Sequence, residues 1–261
     1  MRAQTLALGF CGLLAGAVAL PVSAATTIWD FTASSPTCSS SGSSDGNSRN
    51  CSVGGITVTA TAWANTGGAS NTTLQPGIVN VFAGNGLGVN NADRSGGPGG
   101  GGDTDEGVVP EHAIDNDQRK DSILLVFSTP VQLTQIEIGY ASGDSDMTVL
   151  AFTGGSCSSP AGQTYSGLTG CGWTFVRNLS NVPVDSFTSI SNGSTSSQYW
   201  LIGTAISDVG GSTDSTSDHV KLLAVKGDTT TKVPEPTTLL LLGFAFAAAA
   251  YSRRPPGRAN G

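Results

Sequence analysis

Apolar residues in this chain come in short runs, each closed off by Gly, Ser, Asn or Pro. The stretch Ile56-Thr57-Val58-Thr59-Ala60-Thr61-Ala62 alternates apolar side chains with threonine. Ile136-Glu137-Ile138-Gly139-Tyr140 alternates in the same way, with Glu and Gly as spacers. A two-residue period sends successive side chains to opposite faces of an extended strand, so both stretches read as strands with one buried face. The same reading predicts strands at 27–32, 56–63, 78–83, 122–128, 133–140, 147–153, 173–179, 199–205 and 219–225. No part of this body keeps a helical period. Many short strands separated by turn residues predict an all-β fold, a single jelly-roll-like β-sandwich. Residues 84–107, with consecutive glycines at 99–102, read as a flexible loop, as do 39–48 and 210–217.

The two ends depart from this pattern. Met1-Arg2 precedes an apolar run from Leu6 to Leu20, then Pro21 and the small residues Val22-Ser23-Ala24. A positive start, a short apolar run and small residues before the cut predict a secretory signal peptide over 1–24. At the other end Val233-Pro234-Glu235-Pro236 precedes an apolar run from Thr237 to Tyr251, and Arg253-Arg254 follows. That run makes a hydrophobic helix roughly 22 Å long, slightly short of a usual span but adequate as a transient stop. The arginine pair would hold its far end in the cytoplasm. Pro-Glu-Pro is stiff and extended, a shape a protease reads easily. The predicted organisation is a signal peptide (1–24), a β-sandwich body (25–226), a linker (227–232) and a tail (233–261).

The three parts of the tail, Val233 to Pro236, the apolar run and Arg253-Arg254, together resemble the PEP-CTERM sorting signal. The resemblance implies an exported protein of a Gram-negative-type bacterium. It also implies that the partner is an integral-membrane exosortase, which cuts near the motif after the helix has held the precursor in the inner membrane. Within the body, Gly86-Leu87-Gly88-Val89, Glu111-His112-Ala113-Ile114-Asp115-Asn116 and Gly143-Asp144-Ser145-Asp146 ahead of Val149-Leu150-Ala151 resemble a family of exosortase-dependent surface proteins. That resemblance implies surface sorting and carries no catalytic residue.

Charge narrows the field. The whole chain has a net charge of −7, and the two ends remove four of its basic residues (Arg2, Arg253, Arg254 and Arg258) but only one acid, Glu235. The body is therefore more acidic still and lacks the basic footprint that nucleic-acid binding needs. Cys38, Cys51, Cys157 and Cys171 remain after Cys11 is lost with the leader. An even count in an exported chain predicts two disulfides, for which three pairings exist. Cys38–Cys51 with Cys157–Cys171 is favoured, because each bond would staple one local loop. The spacings are too wide for a typical zinc site.

Acidic side chains are the main candidates for chemistry. Asp103, Asp105, Glu106 and Glu111 precede Asp115, Asn116 and Asp117, while Asp144 and Asp146 lie on a turn between two predicted strands. Calcium takes roughly six to eight oxygen ligands, which flexible acidic loops can supply. Asp103, Asp105, Glu106, Asp115, Asp117, Asp144 and Asp146 are therefore candidate calcium ligands, against the alternative of solvated acidic turns. Gly42-Ser43-Ser44-Asp45-Gly46 matches a nucleophile-elbow pattern but has no apolar strand before it, which makes it a chance match. His112, with acids nearby, is the one opening for a hydrolase, and His219 starts a strand. Trp63, Trp173, Tyr199 and Trp200 would stack on sugars if exposed and fill the core if not. The expected function is a non-enzymatic surface or matrix protein associated with exopolysaccharide or biofilm. The alternatives are a calcium-dependent carbohydrate-binding module and a secreted hydrolase.

Overall fold

The computed structural model describes residues 25–104, 112–190, 193–210 and 217–229, together with residues 244 and 245. The predicted signal peptide, Asp105, Glu106, Glu111 and the sorting residues Val233, Pro234, Glu235, Pro236, Arg253 and Arg254 lie outside the described residues. In chain order the strands are β1 (Ala25–Asp30), β2 (Cys38–Ser41), β3 (Ser48–Val53), β4 (Ile56–Gly67), β5 (Thr73–Pro76), β6 (Ile78–Phe82) and β7 (Gly86–Asn90). They continue with β8 (Ile114–Asp115), β9 (Asp121–Gly143), β10 (Met147–Phe152), β11 (Trp173–Leu179), β12 (Thr188–Ser189), β13 (Ser197–Thr204) and β14 (Asp218–Thr229). All named strands pair antiparallel in one 14-stranded sheet that curls on itself, in keeping with the all-β sandwich.

The curl is made by β9. Its first half, Ser122 to Val131, pairs with β13 on one edge and with β4 on the other. Its second half, Gln132 to Gly143, pairs with β14. Two predicted strands, 122–128 and 133–140, are thus one strand of 23 residues. The exposed segment Ser128-Thr129-Pro130 is the corner. Proline is tolerated there because those positions carry no ladder partner in the register. One layer carries the order β11-β10-β13-β9-β4-β3-β2, and the other carries β9-β14-β7-β6, with β1 and β8 also on β14.

Alternation along the strands fills the space between the layers. Val58, Ala60 and Ala62 of β4, Ile123, Leu125 and Phe127 of β9, and Trp200 and Ile202 of β13 belong to the main core, with Trp29 edge-on to Phe127 at 4.9 Å. The intervening residues Trp63, Leu124 and Leu201 face outward into a second core with Leu150, Trp173, Tyr165 and Leu168. The last two belong to helix α1 (Tyr165–Leu168), which Thr164 caps by accepting the Gly167 amide at 3.0 Å. The Cys157–Cys171 disulfide closes the loop bearing this helix. The tryptophans offered for sugar stacking are therefore core: Trp63, Trp173 and Trp200 are 8%, 2% and 0% exposed.

Three loop expectations are corrected. Residues 39–48 form the turn and inner ends of a hairpin in which β2 pairs with β3, Cys38 facing Cys51. Its polar faces, bridged by the Ser41–Ser48 hydroxyl pair at 2.7 Å, hide the alternation. Residues 84–107 are not all loop, because β7 pairs with β6 there. Gly86 and Gly88 serve close approach, since a Cβ on them would meet the carbonyl oxygens of Leu222 and His112. Residues 227–229, assigned to the linker, belong to β14, with Gly227 and Asp228 paired to both β1 and β9.

Candidate functional site

Asp144, Asp146 and Asp218 are brought together where the β9–β10 turn meets the start of β14. One side-chain oxygen from each lies within 4.8 Å of the others. Gly143, at φ +74°, makes the turn that a side chain would strain. The Asp144 amide then donates to Ser217 O at 3.3 Å, and its carbonyl accepts from the His219 amide at 3.4 Å, which clips the turn to β14. The Asp146 carbonyl accepts from the Ala205 amide at 3.1 Å, fixing the turn against the end of β13.

The carboxylates are themselves held. Asp218 accepts from the Asp146 amide at 2.5 Å and from Asn116 Nδ2 at 2.6 Å, while its own amide donates to Asn116 Oδ1 at 2.8 Å. Asp146 accepts from the Asn181 amide at 2.7 Å, and Asp144 from the Ser145 amide at 2.8 Å. Asp218 is fully buried and Asp146 nearly so, with Asp144 half-buried at the rim. The bonds named come from neutral groups. Burial is the first cause that pushes the Asp218 carboxyl up to about 7, and the charges of Asp144 and Asp146 add to it against the opposing Asp146 amide and Asn116 bonds. Adjacent carboxyl groups in such a place disfavour one another's ionised forms and favour a proton or a nearby positive charge.

The predicted ligands thus divide. Asp144 and Asp146 meet, while Asp218 and Asn116, which were not among the candidate ligands, complete their surroundings. Asp218 is 72 residues from Asp146 in sequence. Its one available signal was an acid at the junction of a polar loop and a predicted strand. Asp115 lies in β8 opposite His219 and accepts the Asp117 amide at 3.1 Å. Asp103 is elsewhere in the bonding pattern. It is 2% exposed and accepts from Asn91 Nδ2 at 2.7 Å, next to a buried Asp93 that pairs with Arg119 and accepts the Gly102 amide at 3.0 Å. That arrangement pins the 91–104 loop. His112 has φ +54° and stacks on Phe82 with ring centroids 6.5 Å apart. A hollow of about 200 Å³ is lined by Asn65, Lys120, Tyr165 and Asp208 and by neither histidine.

Both expected disulfides, Cys38–Cys51 and Cys157–Cys171, are formed, with Cα atoms 4.0 and 5.6 Å apart.

Residues 232–254 match the family model of the PEP-CTERM protein-sorting motif. The chain carries a PEP-CTERM sorting signal. The match takes in Val233, Pro234, Glu235, Pro236, the apolar run and Arg253-Arg254. The PEP-CTERM signal supports an exported protein targeted to exosortase, on its way toward the cell surface. No curated protein and no solved structure matches the chain.

Proposed function

We propose that this is a non-enzymatic surface or extracellular-matrix protein, cut by exosortase at its PEP-CTERM tail and associated with exopolysaccharide or biofilm. The observation that carries this reading is the three-part tail within residues 232–254. An apolar run closed by two arginines holds a translocating chain in the membrane, and the stiff Pro-Glu-Pro ahead of it presents an extended segment for cutting. The acidic, disulfide-closed body suits an oxidising compartment outside the cytoplasm. The test is to replace Pro234, Glu235 and Pro236 by alanine in a host with an active exosortase. The full-length precursor should then stay in the inner membrane. Surface delivery of the body at the wild-type level would overturn the reading.

A second reading is a calcium-dependent carbohydrate-binding module, favoured by one observation: the convergence of Asp144, Asp146 and Asp218. Carboxylate oxygens are the ligands that a hard cation prefers, and Ca²⁺ would balance their charge with water or carbonyl oxygens completing its shell. With Trp63, Trp173 and Trp200 in the core, a sugar would be held through the cation and polar groups rather than by stacking on these rings. Glycan binding measured with calcium and with chelator separates the two readings.

A further inference from the structure

The hollow of about 200 Å³ beside α1 is built from segments distant in sequence. Asn65 comes from β4, Lys120 from the residue before β9, Tyr165 and Ser166 from α1, and Asp208 from the single helical turn Ser207–Val209. Its walls are bonded to one another. Asn65 Oδ1 accepts from the Lys120 amide at 2.6 Å, and its Nδ2 donates to Asn71 O at 3.4 Å. Tyr165 is buried, and its hydroxyl donates to Lys120 O at 2.9 Å and lies 3.0 Å from the Ser122 hydroxyl. The loop that carries α1 is tied to β5, since the Leu74 amide donates to Gln163 O at 2.7 Å and the Gly162 amide to Leu74 O at 2.8 Å. The Cys157–Cys171 disulfide closes the same loop. The hollow is therefore held open by the fold itself.

Its chemistry is polar and its charge is balanced. With its main chain pinned on both sides, Lys120 sends its ammonium to the Asp208 carboxylate and donates to Ser207 Oγ at 3.1 Å. The Lys120 and Asp208 side chains are 26% and 43% exposed, so a ligand reaches the pair from solvent. A free ion gains little from charges that already cancel. A hydroxyl group gains more, because it accepts from the ammonium and donates to the carboxylate, and both bonds are charge-assisted. The Thr164 and Ser166 hydroxyls, 3.1 Å apart on the α1 wall, add further donors and acceptors. The volume is below the roughly 300–1,000 Å³ typical of ligand sites, which limits the occupant to a small molecule or a single ring.

We propose that this hollow binds a small neutral polyhydroxylated ligand, one sugar ring of a saccharide, through Lys120, Asp208 and Ser166 and without a metal ion. This deepens the exopolysaccharide association proposed above by giving it a site. None of Asp144, Asp146 and Asp218 lines the hollow, so binding here is independent of the carboxylate cluster.

The test uses the full chain in a detergent free of sugar groups, with chelator throughout, and reads binding by saturation-transfer NMR. The probes are glucose, galactose, mannose and N-acetylglucosamine, with sodium sulfate as an anionic competitor. Wild type should bind at least one of the sugars with a Kd on the order of 1 mM, as suits so small a ligand, and sulfate should not displace it. Ser166→Ala changes an exposed position and leaves the Thr164 cap in place. It should weaken sugar binding about fivefold, the factor for one net hydrogen bond. Asp208→Asn keeps the shape of the hollow, should weaken the sugar at least as much, and should let sulfate compete by freeing the Lys120 ammonium. Melting curves and closed disulfides confirm that both variants are folded. Absence of sugar binding overturns the proposal, as does displacement of sugar from wild type by sulfate. Sugar binding unchanged in both folded variants overturns it too. Retention of exopolysaccharide from the producing host is measured alongside. Polymer retained equally by wild type and both variants removes the hollow as the site and leaves the surface association standing. Sugar bound at the hollow with no polymer retained supports the hollow and removes the exopolysaccharide association.

Discussion

Replacing Asp218 by asparagine should remove a pH dependence of stability that the wild-type protein shows in chelator. In an unfolded chain the carboxyl releases its proton near pH 4. In the sandwich, burial first and the charges of Asp144 and Asp146 next hold that proton until about pH 7. Between these values the folded state binds more protons than the unfolded one, so stability falls as pH rises and levels off above about 7. The penalty has a ceiling of about 4 kcal/mol, at about 1.4 kcal/mol for each tenfold change in proton affinity. Water reaches the half-buried Asp144, and its screening brings the working figure to about 2 kcal/mol.

The assay is urea unfolding at pH 5 and pH 7.5 in chelator, for wild type and Asp218→Asn. The variant loses a hydrogen bond from Asn116 Nδ2, so its absolute stability falls. The readout is therefore the change between the two pH values, to which carboxyl groups outside the cluster contribute equally in both proteins. Wild type should lose about 2 kcal/mol more than the variant over that interval. Calcium supplies the competing positive charge. At a hundredfold excess over its Kd it should restore about 2.7 kcal/mol to wild type at pH 7.5 and less to Asp218→Asn. Sodium chloride at matched ionic strength controls for screening of the acidic surface. Equal pH responses in the two proteins would refute the charge-balance argument. Equal stability in calcium, chelator and salt would remove the calcium reading alone.

Two further outcomes test the fold. Native protein should have no reactive thiol, and peptide mapping should link Cys38 to Cys51 and Cys157 to Cys171. Replacing either pair by serine should cost about 3 kcal/mol by the loop-entropy argument, and two or more free thiols in the native protein would refute the pairing. Gly88→Ala should lower the melting temperature, because the added Cβ meets the His112 carbonyl. An unchanged melting temperature would show that the segment is a free loop, as its glycine content suggests.

Where one face of a strand is buried and the other polar, the strand was legible. Residues 173–179 are strand β11 to the residue, and the Ile56 and Ile136 repeats lie within β4 and β9. The misses have other causes. β2 and β3 lie at a polar edge, where Ser39 to Ser41 read only as loop. β7 is hidden by the glycines that permit close approach, and β8 and β12 are two-residue ladders with no period to detect. The predicted strands 122–128 and 133–140 are one strand because β9 turns its corner at Ser128 to Pro130, where no ladder partner needs the missing amide donor. At the site, Asp144 and Asp146 were visible as neighbours on one turn. Asp218 was not, because its proximity is created by pairing β9 with β14 and leaves no local pattern.

The same pairing shapes how the body reaches its folded state. β14 is bonded to β1, β7, β8 and β9, so the layer it belongs to cannot form until the end of the body is available. The hydrogen bond from Thr229 to Ala25 closes a span of 204 residues. Pairings this distant in sequence cost chain entropy before they repay it, and folds dominated by them form slowly. An exported chain gains from that delay, since it remains open while it crosses the membrane. The disulfides are local by contrast, with sequence separations of 13 and 14, and each closes within one hairpin or loop. They can therefore form before β14 docks, stiffening the β2–β3 hairpin and the α1 loop while the long-range sheet is still incomplete. Closure then brings Asp218 to Asp144 and Asp146 and draws the β1 end against the last residues before the tail. The carboxylate cluster and the β1–β14 pairing are consequently products of one event, the docking of β14.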